Sequence, residues 1–177
     1  ASDVYKRQAS DVYKRQEQID IKEISENLEK SKNRPSIESR YKFFYNSIAL
    51  NNALLPNPSL LGVKSIGSYA YELDKSVLEE FIDTSIKAEK LYVVEDFDRS
   101  IKFTDGKLII KFLESQNLEE FANNNSLELT SDFSAINTGV FKVQDFSQIE
   151  KTILNLQAQK NIKEIELNTL NPEIQKR

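Results

Sequence analysis

Apolar residues recur along this chain at two different spacings, and where the spacing changes the expected element changes with it. Ile21, Ile24 and Leu28 fall three and four apart and predict a thin, peripheral helix over 20–31. After Pro35, the run SIESRYKFFYNSIALNNALL sets Tyr41, Phe44, Tyr45, Ile48 and Leu50 along one face of a second helix, which Pro56 and Pro58 bring to a stop. Residues 65–72 fit strand and loop equally. Ser76 and Glu79 have the form of a capping box ahead of a third helix, whose apolar face is Phe81, Ile82 and Ile86. Leu91 to Phe97 reads as a short strand. The carboxylates Glu95, Asp96 and Asp98 beside it lack the fixed oxygen spacing of a metal loop and read as a solvated turn.

The last third carries the clearest pattern. KLIIKF, Lys107 to Phe112, is a compact strand introduced by Asp105-Gly106, a favoured tight-turn pair. Leu118, Phe121 and Ala122 then mark a short helix, Leu127, Leu129 and Phe133 a strand, and 135–143, with TGVFKV, another. Asp145 can cap a helix along which Phe146, Ile149, Ile153 and Leu156 keep three-four-three spacing, and Ile162, Ile165 and Leu167 close the series in a strand, IKEIEL. Strand, helix, strand, strand, helix, strand predicts an α+β, ferredoxin-like βαββαβ unit: an antiparallel sheet with two helices on one face and right-handed crossovers. The Asp105-Gly106 pair also invites a hairpin between 100–104 and KLIIKF, but that strand should be central and paired on both sides, so the turn is expected to stay local. Two short helices give a marginal core unless a partner covers the open sheet face. The expected organisation is therefore 1–16 as an artefact, 17–99 as a mainly helical leader and 100–177 as the ferredoxin-like module.

The artefact is the octet Ala-Ser-Asp-Val-Tyr-Lys-Arg-Gln, present at 1–8 and unchanged at 9–16. It resembles the in-frame translation of a transposon-end adaptor used in short-read library preparation, and such scars are set aside before fold reasoning. The chain has no methionine, which fits a reading frame that opens inside a fragment, so any signal peptide is expected to have been lost. Each octet carries one Asp, one Lys and one Arg, so setting both aside takes the net charge from −4 to −6. An acidic chain without a basic stripe argues against nucleic acid. No stretch has the run of about 18 apolar residues that a membrane helix needs. With no cysteine and no histidine, disulfides, zinc sites, Cys–His pairs and Ser–His–Asp triads are all ruled out. Only Gly62, Gly67, Gly106 and Gly139 are present, so there is no glycine-rich phosphate loop. No catalytic, cofactor or metal residue is assigned. The spacing of Tyr69 and Tyr71 and of the acidic pairs is what a solvated surface provides.

Over residues 106–172 the chain resembles the prodomain of subtilisin-like serine proteases. The residues that carry the likeness are GKLIIKF, LEEFANNNSLEL, NTGVFKV and NIKEIELNTLNP. The resemblance implies an intramolecular chaperone and temporary inhibitor of a protease domain joined in cis, in an extracellular or periplasmic setting. It implies that the exposed sheet face packs on the protease and that the segment Asn168, Thr169, Leu170, Asn171 and Pro172 lies in the substrate cleft, where an extended strand supplies backbone hydrogen bonds and alternate side chains fill pockets. Leu170 is the expected pocket residue. A frayed terminus is the plainer account of the same segment. The alternative function is a stand-alone ferredoxin-like binding or regulatory module. An RNA-recognition version is disfavoured, because INTGVFKV lacks the paired stacking aromatics and the basic residue. Partner binding through the apolar stripe from Tyr41 to Leu50 is a further possibility, although such a stripe usually faces the protein's own core.

Overall fold

A computed structural model describes residues 36–57, 61–72, 78 and 90–172. The helices expected over 20–31 and 76–86 lie outside these residues, apart from Leu78, which is helical and fully buried. The described chain runs α1 (Ile37–Arg40), β1 (Lys42–Asn51), β2 (Lys64–Ile66), β3 (Tyr69–Glu72), β4 (Leu91–Glu95), β5 (Ile101–Phe112), α2 (Leu118–Asn124), β6 (Leu127–Phe133), β7 (Thr138–Val143), α3 (Ile149–Gln157) and β8 (Ile162–Leu170).

The helix expected through Tyr41 and Leu50 is not formed; after a single turn at α1 the chain extends at Tyr41 into a ten-residue strand. Aromatic and β-branched residues suit a pleated surface, and a register break between Phe44 and Ile48 decides how they are used. It turns Phe44 and Ala49 towards Tyr71, Val93 and Phe103, while Ile48 and Leu50 face Leu55, Ala70 and Leu78. Both faces of β1 are thereby buried over Ser47 to Leu50, while Phe43 and Phe44 are half-buried and Tyr45 is exposed. Residues 65–72 resolve as a hairpin between β2 and β3, with Gly67 at φ 57 as the first of two loop residues. In the described part of 17–99 strand outweighs helix, where a mainly helical leader was expected.

Asp105-Gly106 is not a turn. Both residues lie inside β5, twelve residues long, with Gly106 at φ 82. Three residues of β5, 105–107, oppose the single Asn168 of β8, so the pair makes a bulge, for which a left-handed glycine is the usual device. The bulge bends β5 into two functional lengths. Residues 101–104 pair with β4 and residues 107–111 with β7, while β8 runs along the opposite edge of both. All pairings are antiparallel, and the sheet runs β2-β3-β1-β4-β5-β7-β6 with β8 beside β5.

Around the second length of β5 the local order is β8-β5-β7-β6, with β5 paired on both sides as expected. Alternate residues Leu108, Ile110 and Phe112 share one buried cluster with Phe121 and Ala122 of α2 and with Ile149, Ile153 and Leu156 of α3, so both helices cover the same face. Asn117 caps α2 through the Glu120 amide at 3.1 Å, and Asp145 accepts from the Ser147 amide at 3.0 Å ahead of α3. The Phe121 ring meets Phe112 and Phe141 at centroid distances of 4.8 and 5.2 Å. Ile37, Tyr41 and Val94 join the same cluster from the upstream elements, so the core is larger than two helices alone provide. The face away from the helices is not bare either: Ile109, Phe133 and Val140 are only 3, 7 and 9 % exposed.

Candidate functional site

The segment expected to bind a cleft is not a loose tail as far as Leu170. β8 continues three residues beyond IKEIEL, so Asn168, Thr169 and Leu170 are strand residues. Thr169 pairs with Thr104 and Leu170 with Phe103. The Thr104 hydroxyl donates to the Asn168 carbonyl at 2.7 Å, and the Asn168 amide donates to the Asp105 carboxylate at 3.4 and 3.3 Å. Leu170 packs on the cluster around Phe103, Asn171 is half-buried and Pro172 is buried. The structure therefore holds Asn168, Thr169 and Leu170 as strand beside the first length of β5, while Asn171 and Pro172 lie beyond the strand and Pro172 is in a turn.

Beside this run lies a charge cluster that no sequence spacing announces. Arg40, at the end of α1, donates from Nε to Asp96 Oδ1 at 3.0 Å, from Nη2 to Asp96 Oδ2 at 3.3 Å and from Nη1 to Glu166 Oε1 at 2.7 Å. Lys102 of β5 also bonds Asp96. The side chains of Arg40 and Asp96 are 3 and 0 % exposed, so these are desolvated charges that need partners. Among the described residues two cations face two carboxylates. Burial alone would raise the Asp96 carboxyl, but the hydrogen bonds from Arg40 and Lys102 and from the Phe97 amide outweigh it and hold the group below its usual value. Burial pulls the Arg40 guanidinium down, and Asp96, Tyr41 and Glu166 together more than restore it. Asp96 is thus the centre of an ion cluster, not part of a solvated turn; only Asp98, which accepts from the Ser100 amide and hydroxyl, behaves as an exposed turn residue.

This cluster cannot run a reaction. Arg40 stays protonated at any working pH, each of the two carboxylates is held by at least one cation, and among the described residues no three carboxylates gather as a metal site. Its effect is mechanical, since it ties α1, the β4–β5 loop and β8 together across 56 and 126 residues of sequence.

Phe43, Tyr45, Tyr92 and Phe146 form an aromatic group in which Tyr92 stacks on Phe146 at 3.8 Å and the Tyr45 hydroxyl donates to Glu150 at 2.6 Å. Burial and then that bond raise the Tyr45 hydroxyl well above its ordinary value, so it stays protonated at neutral pH. Tyr69 and Tyr71, read as surface residues, instead flank Phe103 at 5.4 and 5.7 Å. An open cleft of about 490 Å³ is lined by Gln116, Asn117, Glu120, Asn124, Asn125 and Gln159. Within it Gln159 donates to Asn125 at 2.7 Å, and none of these lining residues is a nucleophile. No described helix is long and apolar enough to cross a membrane. Comparison with protein-family models, with curated proteins and with solved structures finds no match. The segment from Asn168 to Pro172, strand as far as Leu170, and the sheet beside it are the candidate interface.

Proposed function

We propose that this chain is the prodomain of a subtilisin-like serine protease, acting as a folding template and temporary inhibitor of a catalytic domain joined in cis, with 100–177 as a ferredoxin-like module. The observation that supports the reading best is the antiparallel order β8-β5-β7-β6 with α2 and α3 on one face, over the same stretch that carries the sequence resemblance. In this reading the chain performs no catalysis and takes no cofactor. The segment Asn168 to Pro172 is the inhibitory strand, Leu170 fills an apolar pocket of the protease, and the working compartment is extracellular or periplasmic.

The test is inhibition of purified subtilisin by the purified chain. Slow, tight inhibition that Leu170→Asp weakens at least about tenfold supports the reading, since a buried apolar anchor is worth 1.4 kcal/mol or more. A Leu170→Asp variant that inhibits as well as the parent removes the pocket assignment. Reading the source gene through Arg177 is the second test, because an Asp, His and Ser catalytic domain should follow in frame. The alternative, a stand-alone ferredoxin-like binding module, is favoured by one observation: Asn168, Thr169 and Leu170 are already strand residues of the chain's own sheet.

A further inference from the structure

An extended segment can serve a partner's cleft only if its side chains are available, and here they are engaged. Leu170 packs on the cluster of Phe103, Tyr71 and Val93, and its backbone partner is Phe103 itself. Thr169 sits opposite Thr104, which is only 1 % exposed and spends its hydroxyl on the Asn168 carbonyl at 2.7 Å and on the Gly106 amide at 3.1 Å. Residues 103–104 of β5 are also paired on their other edge with Val93 and Tyr92 of β4, so the strand that holds Thr169 and Leu170 is itself fixed from both sides. Leu170 cannot fill the Phe103 cluster and a protease pocket at once.

We propose that the upstream sheet stores the inhibitory segment: Thr169 and Leu170 are clipped to Phe103 and Thr104, and β8 must unzip back to Asn168 before the segment enters a substrate cleft. This rests on the protease-inhibitor reading and adds a regulatory step to it. The clip is short, two residue pairs beyond the bulge, whereas five pairs from Leu167 to Ile162 hold the remainder of β8 on the far side. The end can therefore open while the strand stays in place, and the bulge at 105–107 is the natural stopping point. A conformation that is open only part of the time lowers apparent affinity by the fraction open, so the chain inhibits more weakly than its free segment contacts allow.

Thr104 and Thr169 are direct antiparallel partners, a placement that brings Cα atoms to about 4.5–5.5 Å, inside the range a disulfide spans. The chain has no cysteine, so Thr104→Cys with Thr169→Cys introduces the only two thiols. The experiment is inhibition of subtilisin by the full chain carrying this pair, oxidised and then reduced. The expected result is inhibition at least about tenfold weaker when oxidised and restored by reductant. Equal inhibition in both states overturns the storage inference and leaves the inhibitor reading standing. Inhibition by neither the reduced variant nor the parent overturns both. Should the variant fail to fold, the unaltered chain decides: the cross-strand NMR contact between Thr104 and Thr169 should vanish in complex with inactivated subtilisin, and its persistence overturns the inference.

Discussion

Replacing Arg40 with leucine removes the guanidinium that serves both carboxylates of the buried cluster. Three hydrogen bonds are lost, at 3.0, 3.3 and 2.7 Å. Asp96 keeps Lys102, and Glu166, 7 % exposed, loses the 2.7 Å bond from Nη1. Removing one partner of a buried ion pair costs about 3–5 kcal/mol, because desolvated carboxylates lose charge compensation and hydrogen bonds together. Domains of this size are stable by about 5–15 kcal/mol, so urea denaturation at pH 7 should show a large fall in midpoint with little change in slope. The pH dependence gives an independent check. Asp96 is held below its ordinary value of 3.8 in the folded parent, so its contribution is present above that pH and is lost as pH falls through the lower folded value. Without Arg40 the burial effect, which raises Asp96, is opposed less, and protonation relieves the variant. The deficit of Arg40→Leu should therefore shrink as pH falls towards about 4. A deficit under about 0.5 kcal/mol at pH 7, or one that does not change with pH, refutes the cluster as a structural tie.

Three further outcomes follow from the backbone and packing. Gly139→Ala places a Cβ 2.7 Å from the Phe141 ring and 3.2 Å from Leu118 Cδ1; with Phe141 fully buried the ring cannot yield, and thermal or urea unfolding should show a loss of about 1–3 kcal/mol. Gly106→Ala strains a residue at φ 82 and should cost about 1–2 kcal/mol, whereas a reading of this position as an ordinary strand residue predicts a gain. Asn117→Ala removes the cap of α2 and should cost about 1 kcal/mol, seen as earlier exchange of the Glu120 amide.

The C-terminal elements were legible because each uses a single period and one buried face. Phe146, Ile149, Ile153 and Leu156 are all buried along α3 and the turn before it, and Leu118, Phe121 and Ala122 along α2. β1 was illegible for the opposite reason: a register break lets one strand bury both faces, and the spacing of Tyr41, Phe44, Tyr45 and Ile48 then imitates a helix. Asp105-Gly106 has the same composition in a hairpin turn as in a bulge, and only long-range pairing with β8 tells them apart. The extension of β8 through Asn168 and Thr169 was hidden by their polarity; both make hydrogen bonds or pairings within the sheet. Arg40, Asp96, Lys102 and Glu166 carry no local pattern at all, because tertiary packing alone brings them together. The one available signal was an acidic run, and it pointed to solvent.

The proposed function requires that this chain bind and restrain a subtilisin-like protease. The measurement that tests it most directly is the refolding of acid-denatured subtilisin with and without the purified chain, followed by residual activity. The account predicts a higher yield of folded protease with the chain present, held inactive until the chain is digested. Unchanged yield together with full protease activity in the presence of excess chain contradicts it.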